Sequence, residues 1–72
     1  MYCVIINPDT VQVKRDDGRI ANTFHPGCQG DRIDSAYMSG DDKVVINYTD
    51  TYNRHHVKLY TVEGRILRHD WN

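Results

Sequence analysis

Part of this chain is written twice. Residues 4–7 read Val-Ile-Ile-Asn, and residues 44–47 read Val-Val-Ile-Asn. Residues 11–20 read VQVKRDDGRI, and residues 57–66 read VKLYTVEGRI. The first match is displaced by 40 positions and the second by 46; the extra six fall in the stretch 48–56, where the first copy has only residues 8–10. A repeat of this length implies similar units that bury their apolar faces against one another. The chain therefore reads as one all-β domain over residues 1–72, with copies over about 3–24 and 31–71.

Turn signals recur every seven to twelve residues: Asn7-Pro8-Asp9, Asp17-Gly18, His25-Pro26-Gly27, Ser39-Gly40-Asp41, Tyr52-Asn53 and Glu63-Gly64. The runs between them are rich in Val, Ile, Thr and Tyr, the pattern of successive antiparallel strands. Helical spacing of apolar residues is absent. The expected strands are 2–7, 11–15, 19–24, 32–38, 43–49, 54–61 and 65–69. Alternation places Val11 with Val13, and Val57 with Leu59, on faces expected to be buried together with Ile20 and Ile66.

Seventy-two residues allow one small core, and 39% apolar content is low for a chain that must hold itself together. Stabilisation by a second copy is the expected remedy. Charge is balanced at a net of −1, so the basic excess that suits counterion release on nucleic acid is missing. No apolar run approaches the ~20 residues of a membrane-spanning helix. Two cysteines, Cys3 and Cys28, are too few for a disulfide scaffold. A cytoplasmic protein with free thiols is expected, with a Cys3–Cys28 bridge left open.

The stretch 31–71 resembles a blade of the WD-repeat type of β-propeller. Ile33–Met38 followed by Ser39-Gly40-Asp41-Asp42 looks like the blade's outer strand and polar turn. Val57-Lys58-Leu59-Tyr60 looks like the third strand, and Gly64-Arg65-Ile66-Leu67 like the last hairpin. Residues 3–24 look like the last three strands of a second blade. The Gly-His and Trp-Asp pairs of that family are not at their usual places, and Asp70-Trp71 stands in reverse order. The resemblance implies a propeller-like meander of about seven strands that assembles from several copies. A small β-sandwich or barrel is the alternative.

Chemistry is thinly represented. His25-x-x-Cys28 has ligand-like spacing, but no second pair completes a metal set. Asp16-Asp17 and Asp41-Asp42 lie in turns, where Asp bonds nearby backbone N–H groups. No nucleophile elbow or phosphate loop is present. Neither an enzyme nor a cofactor is expected. The candidate binding surface is Arg54, His56, Lys58, Tyr60, Arg65, Arg68 and Trp71, with Tyr48 and Tyr52 as added stacking groups. The function expected is a self-associating module that contacts another protein. Two alternatives are a lectin-like propeller, with Trp71 as the sugar platform, and a small barrel binding single-stranded nucleic acid through Arg54, Lys58 and Tyr side chains.

Overall fold

A computed structural model describes residues 2–7, 10–27 and 31–71. Seven strands follow in order: β1 (Tyr2–Ile6), β2 (Val11–Arg15), β3 (Ile20–Phe24), β4 (Arg32–Met38), β5 (Lys43–Thr49), β6 (His55–Thr61) and β7 (Ile66–Trp71). All pairings are antiparallel between chain neighbours, in a three-stranded sheet β1-β2-β3 and a four-stranded sheet β4-β5-β6-β7. Among the described residues there is no helix, and none that is long and apolar enough to cross a membrane.

The two sheets share one core, as in a small β-sandwich. Val11, Val13 and Phe24 from the first meet Val44 and Ile46 from the second, with Val62 beside them. Asn22 ties the sheets at one margin, its side-chain amide donating to the Val62 carbonyl at 3.0 Å. Strands β4–β7 form a plain antiparallel meander. The remaining strands pack over it as a second layer.

Three of the hairpins are built alike. In each, a residue donates its N–H to the carbonyl four positions on and accepts from the N–H three positions on. The pairs are Arg15 with Arg19 and Gly18, Asp50 with Arg54 and Asn53, and Thr61 with Arg65 and Gly64. The third loop residue has positive φ in every case: 87° at Gly18, 64° at Asn53 and 107° at Gly64. This is the three-residue hairpin loop that glycine or asparagine accommodates.

The repeat extends to a bulge. Register slips between Val13 and Lys14 in one hairpin and between Leu59 and Tyr60 in the other, and Lys14 faces Ile20 as Tyr60 faces Ile66. Both slips lie at matched positions of the two copies. Segments 11–20 and 57–66 are thus the same hairpin.

The two copies turn opposite faces to the core. Val11 and Val13 are fully buried, but Val57 is 37% exposed, Leu59 only half-buried, and Ile20 and Ile66 lie about half in solvent at 52% and 49%. The expected burial of Val57, Leu59, Ile20 and Ile66 is corrected accordingly. The cause is β5. Its face of Val44, Ile46 and Tyr48 is buried, and in register these residues face Tyr60, Lys58 and His56. Opposed residues in a ladder project to the same side, so β6 must present its even-numbered residues inward.

The matched glycines give a direct test. A Cβ at Gly18 meets nothing within 4 Å, whereas one at Gly64 lies 3.0 Å from the Asn22 amide nitrogen. Gly18→Ala should cost about 1–2 kcal/mol from its positive φ alone. Gly64→Ala should cost more, and the excess should vanish in an Asn22→Ala background when chemical denaturation is followed.

Candidate functional site: a ring row beside an open strand edge

The inner face of the four-stranded sheet carries three cross-strand rows. Met38, Val44, Tyr60 and Ile66 form one; Ala36, Ile46, Lys58 and His69 the next; Ile33, Tyr48, His56 and Trp71 the third. Sheet β1-β2-β3 packs on the first row, where Phe24 meets Tyr60 with ring centroids 4.7 Å apart. The third row borders a groove of about 400 Å³, walled by His25, Pro26 and Gly27 on one side and by Asp50 and Tyr52 on the other.

Rings in this row stand face to face. Tyr48 and His56 are parallel within 4° at 4.7 Å. Trp71 follows 6.1 Å beyond His56, and His69 lies 5.3 Å from it. Cations close both ends: the Arg54 guanidinium lies 5.4 Å from the Trp71 ring centre, and the Lys58 ammonium 5.4 Å from that of Tyr48. Lys58 also donates to the Pro26 carbonyl. Its aliphatic stem therefore crosses the inner face while its charge reaches a polar partner.

A hydrogen-bond chain fixes the histidines. Asp50 Oδ1 accepts the backbone N–H groups of Tyr52 and Arg54, each at 2.9 Å. Asp50 Oδ2 lies 2.8 Å from His56 Nε2. A carboxylate only accepts, so Nε2 carries the hydrogen; in the neutral ring Nδ1 is then an acceptor. His69 Nε2 lies 3.0 Å from this Nδ1 and can donate to it. The arrangement can pass a proton between Asp50 and the edge strand, and it sets both ring orientations.

These contacts shift the titrating groups. The His56 bond, followed by the Arg54 and Tyr52 backbone N–H groups, holds the Asp50 carboxyl below the usual range. Desolvation lowers His69, helped by Lys58 and His56 and opposed by Asp70. On the other face of the sheet the Thr49 hydroxyl donates to Asp34 at 2.6 Å and lowers its pKa, with Arg32 and His55 adding to the effect.

All three shifts predict destabilisation by acid. For each group the folded value lies below the unfolded one, so the unfolded chain takes up the proton first. Stability should fall as pH drops below about 6.5 through His69, and again below about 4 through Asp50 and Asp34. Thermal melts across pH should show the first loss disappear in His69→Gln and the second shrink in Asp50→Asn. A flat profile from neutral pH to about 5 would contradict the His69 assignment.

Of the seven residues singled out in the sequence, Arg54, His56, Lys58 and Trp71 come together in this row. Tyr60 instead packs into the core, where burial raises its pKa. Arg65 sits in the hairpin loop, donating its N–H to Thr61 Oγ1 at 3.1 Å. Arg68 points to the opposite face, paired with Asp70 at 2.6 Å. The Leu59/Tyr60 bulge moves it there: without the slip Arg68 would face Lys58, and with it His69 does.

Asp50 and His69 were not expected in the site. For Asp50 a signal existed, since it opens a loop as Thr61 does and accepts from the residue four on. Cys3 is exposed and free, as expected, whereas Cys28 lies outside the described residues, and with it the Cys3–Cys28 bridge left open from sequence and the His25-x-x-Cys28 pair. Among the described residues, no group of three or more His, Cys, Asp or Glu side chains is placed to hold a metal. The chain matches no family model, no curated protein and no solved structure.

Proposed function

We propose that the protein is a non-enzymatic interaction module that takes an extended segment of a partner protein along the free edge of β7. One observation carries this reading. β7 ends the order β4-β5-β6-β7, all six of its residues are exposed, and they include Ile66, Leu67 and Trp71, the last two at 44% and 59%. An open edge supplies unpaired N–H and C=O groups for strand addition, and flanking apolar side chains supply specificity. Trp is a residue type on which such contacts concentrate.

The other edge of this sheet, β4, lies against β1, whose Tyr2 and Val4 pack on the core. This favours β7 over β1, although the Cys3–Ile6 run of β1 carries no charge, and over a propeller-like ring closed through β1. Base or sugar stacking draws less support, because Tyr48 and His56 spend their faces on neighbouring rings. An exposed free thiol at Cys3 suits the cytoplasm.

Linear peptides selected from a random display library should slow amide exchange at β7, at N–H groups not bonded to β6. Trp71→Ser combined with Leu67→Ser should abolish their binding while the fold is retained. Protection confined to the Tyr48–His56 groove, or recovery of no peptide, would refute the reading.

A further inference from the structure

We infer that the segment that seats on β7 is β7 of a second copy, running antiparallel about a twofold axis through His69. This rests on the reading of β7 as the open edge.

Residues 67–71 read Leu-Arg-His-Asp-Trp. The order is self-complementary about its centre. His69 and Trp71 project to one face, and Arg68 and Asp70 to the other, where Leu59 and Val57 are their ladder partners. Alternation from His69 assigns Leu67 to the first face, although the bulge leaves it without a ladder partner. A twofold axis perpendicular to the sheet keeps the two inner faces on the same side. It then allows only registers in which opposed residues share a face, centred on one residue.

Within the segment three central centres exist. A centre at Arg68 opposes two guanidinium groups, and a centre at Asp70 opposes two carboxylates. The centre at His69 opposes Arg68 to the second copy's Asp70, and Leu67 to the second copy's Trp71, each twice. Unlike charges and an aromatic–aliphatic pair are the favourable cross-strand combinations.

The surface is prepared for this exchange. Arg68 and Asp70 pair with each other within one strand, both well exposed. An exposed pair of this kind contributes little, so trading it for two intermolecular pairs loses little. Leu67 and Trp71 are both exposed large apolar residues. Pairing joins two four-stranded sheets into one, and each ring row of Tyr48, His56 and Trp71 continues onto the second copy's Leu67.

Sedimentation of the full chain over a series up to ~1 mM, the weak end of specific association, should show mass rising from 8.4 kDa to twice that value. Arg68→Asp and Asp70→Arg should each weaken association at least ~10-fold, because each places like charges opposite one another twice. Circular dichroism should confirm that both fold. An equimolar mixture of the two variants should dimerise again, since each then meets its complement; so should the double variant. Wild-type chain that stays monomeric through the series overturns the inference, as do single variants that dimerise like wild type or a mixture that remains monomeric. A monomeric wild type that still takes selected peptides on β7 removes the second copy and leaves the edge reading standing; failure of both removes both.

Discussion

Ile46→Ala should remove about 2–5 kcal/mol of stability. Ile46 is the largest of the fully buried side chains. It stands in the middle of β5, between Ala36 on β4 and Lys58 on β6, and belongs to the cluster that includes Val11, Val13 and Phe24 of the other sheet. Truncation leaves a cavity that neither sheet can close without moving its ladder. For a domain of this size each kcal/mol shifts the melting temperature by roughly 4–8 °C, so the variant should be largely unfolded at moderate temperature. Leu59→Ala is the control. Its neighbour in sequence, Lys58, holds the inward position, and Leu59 is only half-buried; its loss should cost about 1 kcal/mol. Equal losses at the two positions, measured by urea denaturation, would show that β6 is turned the other way.

Tyr48→Ala should cost about 3–5 kcal/mol, the range for deleting a buried aromatic ring. Tyr48 is 4% exposed and touches the site as well as the core. His56 stacks on one side of it, and Lys58 places its ammonium over the ring. Removal takes the first member from a row whose other rings lean on one another, so His56 and Trp71 lose their fixed spacing. Two readouts separate the effects: denaturant unfolding reports the cavity, and the near-ultraviolet circular dichroism of the single Trp71 reports the row. At temperatures where the variant remains folded, the Trp71 signal should still be diminished. An unchanged signal in folded Tyr48→Ala would show that Trp71 is positioned by β7 alone.

Strand positions and turn glycines were legible from the residues. Alternation of Val, Ile and Tyr marks β2 and β5 because each has one buried face, and Gly18 and Gly64 mark loops that need positive φ. Strand ends differ by a residue or two: β1 stops at Ile6, β3, β6 and β7 each begin one residue later than expected, and β7 runs on to Trp71. The site was only half legible, for two physical reasons. On β6 the local pattern offers Val57 and Leu59 as the apolar face, and only pairing with β5 reverses it. On β7 a one-residue bulge changes which side chain meets Lys58, and the residues flanking it carry no mark of a bulge. Asn53 shows the complementary case, since it fills the positive-φ position of a loop that contains no glycine.

Among the described residues every ladder joins chain neighbours, and the widest-spaced pair is Lys43 with Thr61. That has a kinetic consequence. Closing a loop of such length costs little chain entropy, and each hairpin can zip from its own turn before any distant segment arrives. Only the seating of β1-β2-β3 on β4–β7 brings remote residues together, through Val11, Val13 and Phe24. Refolding should therefore be a single phase on the order of milliseconds. The late barrier belongs to the meeting of the two sheets, so Val13→Ala should chiefly speed unfolding, whereas weakening the Glu63-Gly64 turn should chiefly slow folding.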